Sequence, residues 1–174
     1  MRIEILPTFA LAPAVTFDVA FVQRKHWMQY NLIQTTNLVI GRQYEAEKYR
    51  RLADEEIRLI EKSRAREGAL AAASTFDLRL MRERLDLYER KYIENQVRVR
   101  TYLEELQKQV VELQRVSTQL KEWVKDKSPE ICEKAANLAA DIERETILVS
   151  AWVQEKLTEL DKASASAAVT TEAL

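Results

Sequence analysis

The sequence predicts an all-helical protein of three long helices with coiled-coil-like packing, an extended apolar arm before them and a loose tail after them. Its 174 residues include only 2 glycines and 3 prolines. No proline lies between Pro13 and Pro129, so a long stretch of the chain lacks the strongest helix breaker. Charged residues make up 32% of the chain, and most are Glu, Arg or Lys, which favour helices.

A heptad repeat from Leu78 to Trp123 is the third observation and the longest regular pattern. Apolar residues alternate at spacings of three and four, which is typical of a helix that packs along its whole length against other helices. Asn95 and Gln109 interrupt the seam and either fix helix register and number or face solvent at an edge. The seam consists of Leu78, Met81, Leu85, Tyr88, Tyr92, Asn95, Val99, Tyr102, Leu106, Gln109, Leu113, Val116, Leu120 and Trp123.

The apolar stripe of this repeat widens along the chain. Charged residues such as Arg82 and Arg84 flank its first half, whereas Leu103, Val110 and Val124 join it in the second half. A narrow stripe suits one partner helix, and a broad stripe suits burial among three or more helices. We therefore expect the second half to lie deeper in a bundle.

The N-terminal residues 1–16 differ from the rest of the chain because an apolar run follows a short alternating stretch. A cleaved signal peptide fits poorly, since Glu4 disturbs the positive start that such peptides have. A membrane span is interrupted by Pro7, Pro13 and Asp18. We favour an extended arm that buries its apolar side chains against a neighbouring subunit, with membrane contact through residues 5–22 as an alternative.

The first helix is predicted over residues 17–66. Apolar residues recur every seven positions, with Tyr49 and Ile57 beside them, and a kink is possible at Gly41. The stretch from His26 to Ile40 is nearly uncharged and rich in aromatic and amide side chains, which is more typical of an interface than of solvent. The recurring residues are Leu32, Val39, Ala46, Ala53 and Ile60.

Residues 67–75 are predicted to form a corner, with Gly68 as a C-cap and Ser74 or Thr75 as an N-cap. A continuous alanine-rich helix is the alternative.

The second helix is predicted over 75–127. Ser128-Pro129-Glu130 is a strong signal for the start of the third helix, over 129–162, which should pack antiparallel on the broad half of the seam. Residues 163–174 are predicted to be the loose tail.

Charge is unevenly distributed, although the net charge is only −1. Basic residues exceed acidic ones in residues 24–100, whereas 8 basic residues face 13 acidic ones from Glu104 to Asp161. Such a chain can stack head to tail with copies of itself or contact DNA through its basic half. Because the two signs are closely interleaved, an ordinary solvated surface is the simpler interpretation.

Residues with catalytic or metal-binding chemistry are scarce. The single cysteine, Cys132, reads as a small buried side chain, and the single histidine, His26, is remote from it in sequence. One His and one Cys make no zinc set, and the Glu-x-x-His pairs of a di-iron bundle cannot be built. Two isolated glycines make no phosphate-binding loop. The sequence therefore predicts no catalytic residue, no metal and no cofactor, and a protein that is not an enzyme.

The stretch RAREGALAAAS, Arg64 to Ser74, follows a charged helix and precedes a long helix that carries Asn95. In this it resembles the smallest internal virion (ejection) proteins of short-tailed phages. The resemblance implies a predominantly helical protein that belongs to the virion and is released with the genome on infection. It also implies other virion proteins as partners, and the host cytoplasm as the place of assembly.

The predicted function is that of a non-enzymatic structural subunit in a large homo- or hetero-oligomeric assembly. A phage virion protein of the internal core, ejection or head–tail type is the most specific form. A membrane-associated coiled-coil stalk and a nucleic-acid-binding helical adaptor are the alternatives. The predicted oligomer interface is Phe9, Leu11, Val15, Phe17, Phe21, Trp27, Met28, Leu85, Tyr88, Tyr92, Asn95, Val99, Tyr102, Leu106, Gln109, Leu113, Leu120 and Trp123.

Overall fold

The computed structural model describes residues 17–66 and 74–172, and these residues are almost entirely helical. A π-helical turn, Asp18–Val22, leads into helix α1, Gln23–Arg66. Helix α2 spans Ser74–Trp123 and ends in a 3-10 turn, Val124–Asp126; helix α3 spans Pro129–Glu172. The three long helices pack against one another, which confirms the predicted all-α fold.

The boundaries differ from the predicted ones mainly at the C-terminus. Helix α3 continues to Glu172, whereas a loose tail was predicted from residue 163. The segment contains no glycine or proline and is rich in alanine, the best helix former, so nothing in it stops the helix. Helix α1 likewise runs without a break through Gly41. The predicted arm, residues 1–16, and residues 67–73 of the predicted corner lie outside the described residues.

The chain divides into two compact units, to which α1 and α2 both contribute. The first unit contains residues up to Thr36 and from Leu103 onward, and the second contains Asn37–Tyr102.

In the first unit the three helices form a bundle. Helix α2 runs antiparallel to α1, since Gln109 Nε2 donates to Thr35 Oγ1 at 2.9 Å and Arg24 Nη1 to Gln119 Oε1 at 3.0 Å. Helix α3 runs in the direction of α1, because Gln29 Nε2 donates to Glu145 Oε2 at 2.7 Å, four residues after the Lys25–Asp141 ion pair. The core of this bundle includes Leu103, Leu106, Leu113, Val116, Leu120, Ile142 and Val153.

The connection between α2 and α3 closes one end of this bundle. The Ser128 hydroxyl accepts from the backbone N–H of Ile131 at 3.4 Å, as an N-cap serine does, and Pro129 opens the helix as predicted. The Trp123 ring lies 6.0 Å from that of Phe17 and 5.4 Å from that of Phe21. The residues that precede α1 therefore pack on the end of α2.

The second unit is an antiparallel pair of helices. Arg84 Nε lies 2.9 Å from Glu56 Oε1, and the rings of Tyr49 and Tyr88 are 6.3 Å apart, so the two chain directions oppose each other. Here α2 faces α1 alone, whereas α1 and α3 both cover it in the first unit. This confirms the expectation drawn from the width of the apolar stripe. The buried apolar residues are Val39, Ala46, Ala53, Ile60, Leu78 and Val99.

Candidate interaction surface

Six members of the predicted oligomer interface, Phe21 among them, are buried by the chain itself. Val99, Leu106, Leu113 and Leu120 are 0% exposed, and Asn95 is also buried. Helix α1 covers the narrow half of the seam, while α1 and α3 together cover the broad half. That these residues form a contact between subunits stays a prediction.

The other described members, apart from the exposed Trp27, are half-buried and contact their own chain. The rings of Phe17, Phe21 and Trp123 cluster together, and Gln96 Nε2 donates to the Tyr92 hydroxyl at 2.7 Å. Met28 lines a shallow groove of about 300 Å³ on the first unit. Leu85, Tyr88 and Tyr102 lie half-buried on α2. Phe9, Leu11 and Val15 lie outside the described residues.

Asn95 and Gln109 both bridge α1 and α2. Asn95 Nδ2 donates to the Lys91 carbonyl at 2.9 Å, and Arg42 Nη1 donates to Asn95 Oδ1 at 3.5 Å. Gln109 donates to Thr35, as described above. Of the two interpretations left open by the sequence, the structure therefore favours polar residues that fix helix register over residues that face solvent.

The outer face of α1, by contrast, carries large apolar side chains that the chain leaves uncovered. Its six large apolar members are between 47% and 63% exposed. No Lys, Arg, Asp or Glu occurs from His26 to Gly41. Isolated exposed apolar residues are normal, but a contiguous patch marks an interaction site. We define this outer face as Trp27, Tyr30, Ile33, Gln34, Asn37, Leu38, Ile40, Gly41 and Tyr44.

Helix periodicity places these residues on one side of α1. Trp27, Tyr30, Gln34, Asn37, Gly41 and Tyr44 follow one another at spacings of three and four. The buried residues Leu32, Thr35, Val39 and Ala46 occupy the opposite side of the same helix. The rings of Trp27 and Tyr30 stack at 5.9 Å with an interplanar angle of 22°. The helix therefore carries two heptad seams, one buried and one exposed.

The predicted interface included only Trp27 from this outer face. The uncharged stretch was recognised, but Tyr30, Ile33, Leu38, Ile40 and Tyr44 were not assigned to the interface. The signal that identifies them is the second repeat of threes and fours, which lies out of phase with the first. Because Leu32, Val39 and Ala46 already explained the helix, a second seam on it was missed.

The second unit is the more basic one. Residues 37–102 contain 15 Lys and Arg against 12 Asp and Glu, whereas the remainder of the chain contains 12 against 16. Several basic side chains near the end of the helix pair are exposed, among them Arg58, Arg64 and Arg82. On α2, the pKa of the Glu94 carboxyl is lowered by its hydrogen bond to Lys91, 3.1 Å away, and by the charges of Lys91, Arg98 and Arg42.

Among residues 17–66 and 74–172, no three His, Cys, Asp or Glu side chains are placed to hold a metal ion together. The Cys132 thiol donates to the Val124 carbonyl at 3.3 Å. Within the same described ranges, no helix is long and apolar enough to cross a membrane. Comparison with protein-family models, characterised proteins and solved structures finds no match to this chain.

Proposed function

We propose that this protein is a non-enzymatic structural subunit that associates with copies of itself, or with other subunits, through helix–helix contacts in a large assembly. The outer face of α1 carries the proposal. It exposes Trp27, Tyr30, Ile33 and their neighbours to solvent, whereas the main apolar seam of α2 packs against helices of the same chain. Exposed apolar side chains on a long helix are the feature that a helical partner covers.

The setting that we propose for this assembly is a phage virion, as an internal core, ejection or head–tail component. The resemblance of residues 64–95 to small internal virion proteins of short-tailed phages supports this setting. Virions purified from a phage that encodes this chain should contain it in many copies per particle, which quantitative mass spectrometry of the particles measures. Its absence from purified particles would contradict the virion setting while leaving self-association open.

Sedimentation tests the assembly itself. The purified full chain at micromolar concentration should sediment as a multiple of its 20.2 kDa mass. Circular dichroism of the same sample establishes that the chain is folded. A folded chain with the mass of one copy at every concentration tested would show that it does not self-associate, and capture of another virion subunit would then be required to retain the proposal.

The excess of basic residues in the second unit favours nucleic acid as a second candidate partner. Exposed Arg58, Arg64 and Arg82 supply positive charge that phosphates attract. Retention of double-stranded DNA should then fall steeply between about 50 and 200 mM salt, as it does when Lys and Arg displace counterions. An Arg58→Gln/Arg64→Gln/Arg82→Gln variant should lose retention, while an Arg115→Gln control from the first unit should keep it. Equal retention by both variants would refute this candidate.

A further inference from the structure

Gly41 is a residue that the chain's own packing does not require. It lies inside α1, where glycine is less favourable than alanine, and its φ is not positive. A Cβ added there would meet no atom within 4 Å. Neither the backbone conformation nor a close contact within the chain requires glycine at this position. A side chain of another molecule that packs closely against α1 here would require it.

The order of residues along the outer face is self-complementary when it is reversed. About a point between Thr35 and Thr36, Trp27 comes level with Tyr44, and Tyr30 with Gly41. The same reversal brings Gln34 level with Asn37 and places Ile33 and Leu38 at the two edges of the contact. An aromatic ring meets a ring, a tyrosine meets the space above a glycine, and the aliphatic side chains cover the edges. Two amides meet at the centre, where each can donate to the other.

A residue beyond one end of the face agrees with the same arrangement, because His26 comes level with Glu45, which can accept a ring N–H. A parallel pairing would instead set Gly41 beside Gly41, which leaves a gap within the contact. The antiparallel arrangement is therefore the one in which the side-chain volumes are complementary.

The apolar surface on the face is also of the size that a dimer needs. Six large side chains, each about half exposed, offer on the order of 600 Å² per copy, given the 150–250 Å² that one aromatic side chain buries. A stable interface buries about 800 Å² per partner, and the amides and the backbone at Gly41 supply the remainder.

We propose that the outer face of α1 is the contact between two copies of this chain, which pair antiparallel about a two-fold axis between Thr35 and Thr36. The face lies on one helix, so the positions of its residues follow from helix geometry alone. The pairing rests on the proposed function, since it names the partner and the surface through which the subunit assembles. It is an isologous contact, in which each copy supplies the same residues.

Two matched substitutions test the surface. Ile33→Glu places a charge in the contact, whereas Ile147→Glu makes the same change at a site on α3 that is slightly more exposed. In sedimentation equilibrium, the wild-type chain and Ile147→Glu should both self-associate. The dissociation constant of Ile33→Glu should be higher by a factor of about ten or more. Circular dichroism of the three proteins should agree, since neither isoleucine is buried.

The outcomes separate this proposal from the proposed function. If the wild-type chain associates and Ile33→Glu associates equally well, assembly uses another surface and the pairing is refuted. If both variants weaken association equally, the effect is not specific to this face and the pairing is again refuted. A wild-type chain of 20.2 kDa that floats with phosphatidylcholine vesicles would assign the face to a lipid surface and refute both.

Disulfide cross-linking tests the direction of the pairing. Gln23 and Lys48 continue the outer repeat beyond each end of the face and are both exposed. In a Cys132→Ser background, the double variant Gln23→Cys/Lys48→Cys should form a covalent dimer on mild oxidation. The two positions lie about 37 Å apart on one helix, so the bond must join two copies. The single variant Gln23→Cys should not form a covalent dimer, and a dimer from it would show parallel pairing instead.

Discussion

Leu106 and Leu85 occupy equivalent positions of the same heptad repeat, yet their surroundings differ. Leu106 is completely buried in the first unit, where α1 and α3 both cover α2. Leu85 is half-buried in the second unit, where α1 alone covers it. The number of helices around a seam residue, and not the residue type, therefore sets how much apolar surface its side chain removes from water.

Alanine substitutions at three seam leucines measure this difference. Leu106→Ala and Leu113→Ala should each lower the free energy of unfolding by about 2–5 kcal/mol, because each removes fully buried methyl groups and leaves a cavity. Leu85→Ala should cost about 1–2 kcal/mol, since its side chain is only half-buried. Urea unfolding at matched protein concentration gives the ordering. A larger loss at Leu85 would show that the seam is packed most tightly in the second unit.

Glu89 supplies a pH-dependent prediction. Partial burial raises the pKa of its carboxyl, and the nearby Asp86 charge raises it further. Its ionised form is thus less favourable in the folded chain than in the unfolded chain. The folded state is penalised at neutral pH, and the penalty disappears as pH falls below the pKa of the unfolded chain. Glu89→Gln should therefore stabilise the fold at pH 7 and have little effect at about pH 3.

The measurement is the urea midpoint of Glu89→Gln and the wild type at both pH values. Because the side chain is largely exposed, only the direction of the change is predicted. Glu94→Gln is the matched control on the same helix. The pKa of the Glu94 carboxyl is lowered, so the effect of the substitution on stability has the opposite sign. This control should destabilise the fold at pH 7 and lose its effect as the pH falls. A stability gain for Glu94→Gln at pH 7 would contradict the assignment.

At the scale of the helices, Glu56 fixes the pairing of α1 with α2 in the second unit. The sequence suggested Ile57 beside the seam, whereas the structure buries the neighbouring Glu56, which is 7% exposed. Its Oε1 pairs with Arg84, and among the described residues its Oε2 has no hydrogen-bond partner. A one-residue slip of the pairing would separate the carboxylate from its cation, so the ion pair penalises alternative registers.

Removing one partner at a time tests this role. Arg84→Ala should cost about 1–3 kcal/mol because it leaves a buried carboxylate without its cation, although exposure of the arginine moderates the loss. Glu56→Leu should be neutral or stabilising, since an apolar residue suits the seam. The double variant Glu56→Leu/Arg84→Ala should recover most of the stability lost in Arg84→Ala. Thermal unfolding of the wild type, the two single variants and the double variant gives the coupling energy between Glu56 and Arg84. If the double variant is as unstable as Arg84→Ala, the ion pair does not have this role.

The helix pair formed by α1 and α2 shows which features of the fold the sequence can and cannot predict. The start of α3 at Pro129 followed from local signals, namely a capping serine and a proline. The burial of Glu56 depends on Arg84, which reaches it only across the helix pair, so no pattern within α1 reveals it. The sequence did predict that the third helix packs on the broad half of the seam, where Leu113 is completely buried.

For the whole molecule, stability and assembly are linked if two copies pair through the outer face of α1. Six large apolar side chains then lie exposed in a single copy and become covered in the pair. Any contact that forms between folded chains and not between unfolded ones stabilises the fold by mass action. Chain concentration should therefore affect the melting temperature of this protein.

The melting temperature of the wild-type chain should rise with protein concentration. For two copies of 174 residues, a hundredfold increase in concentration should raise it by about 4 °C, because the entropy of unfolding of so large a pair is high. The melting temperature of Ile33→Glu should rise less than that of the wild type over the same range, because its association is weaker, while Ile147→Glu should follow the wild type. Scanning calorimetry or circular dichroism provides the measurement. A wild-type melting temperature that does not change with concentration would mean that folding of this chain is complete in a single copy, with Trp27 and Tyr44 left in water.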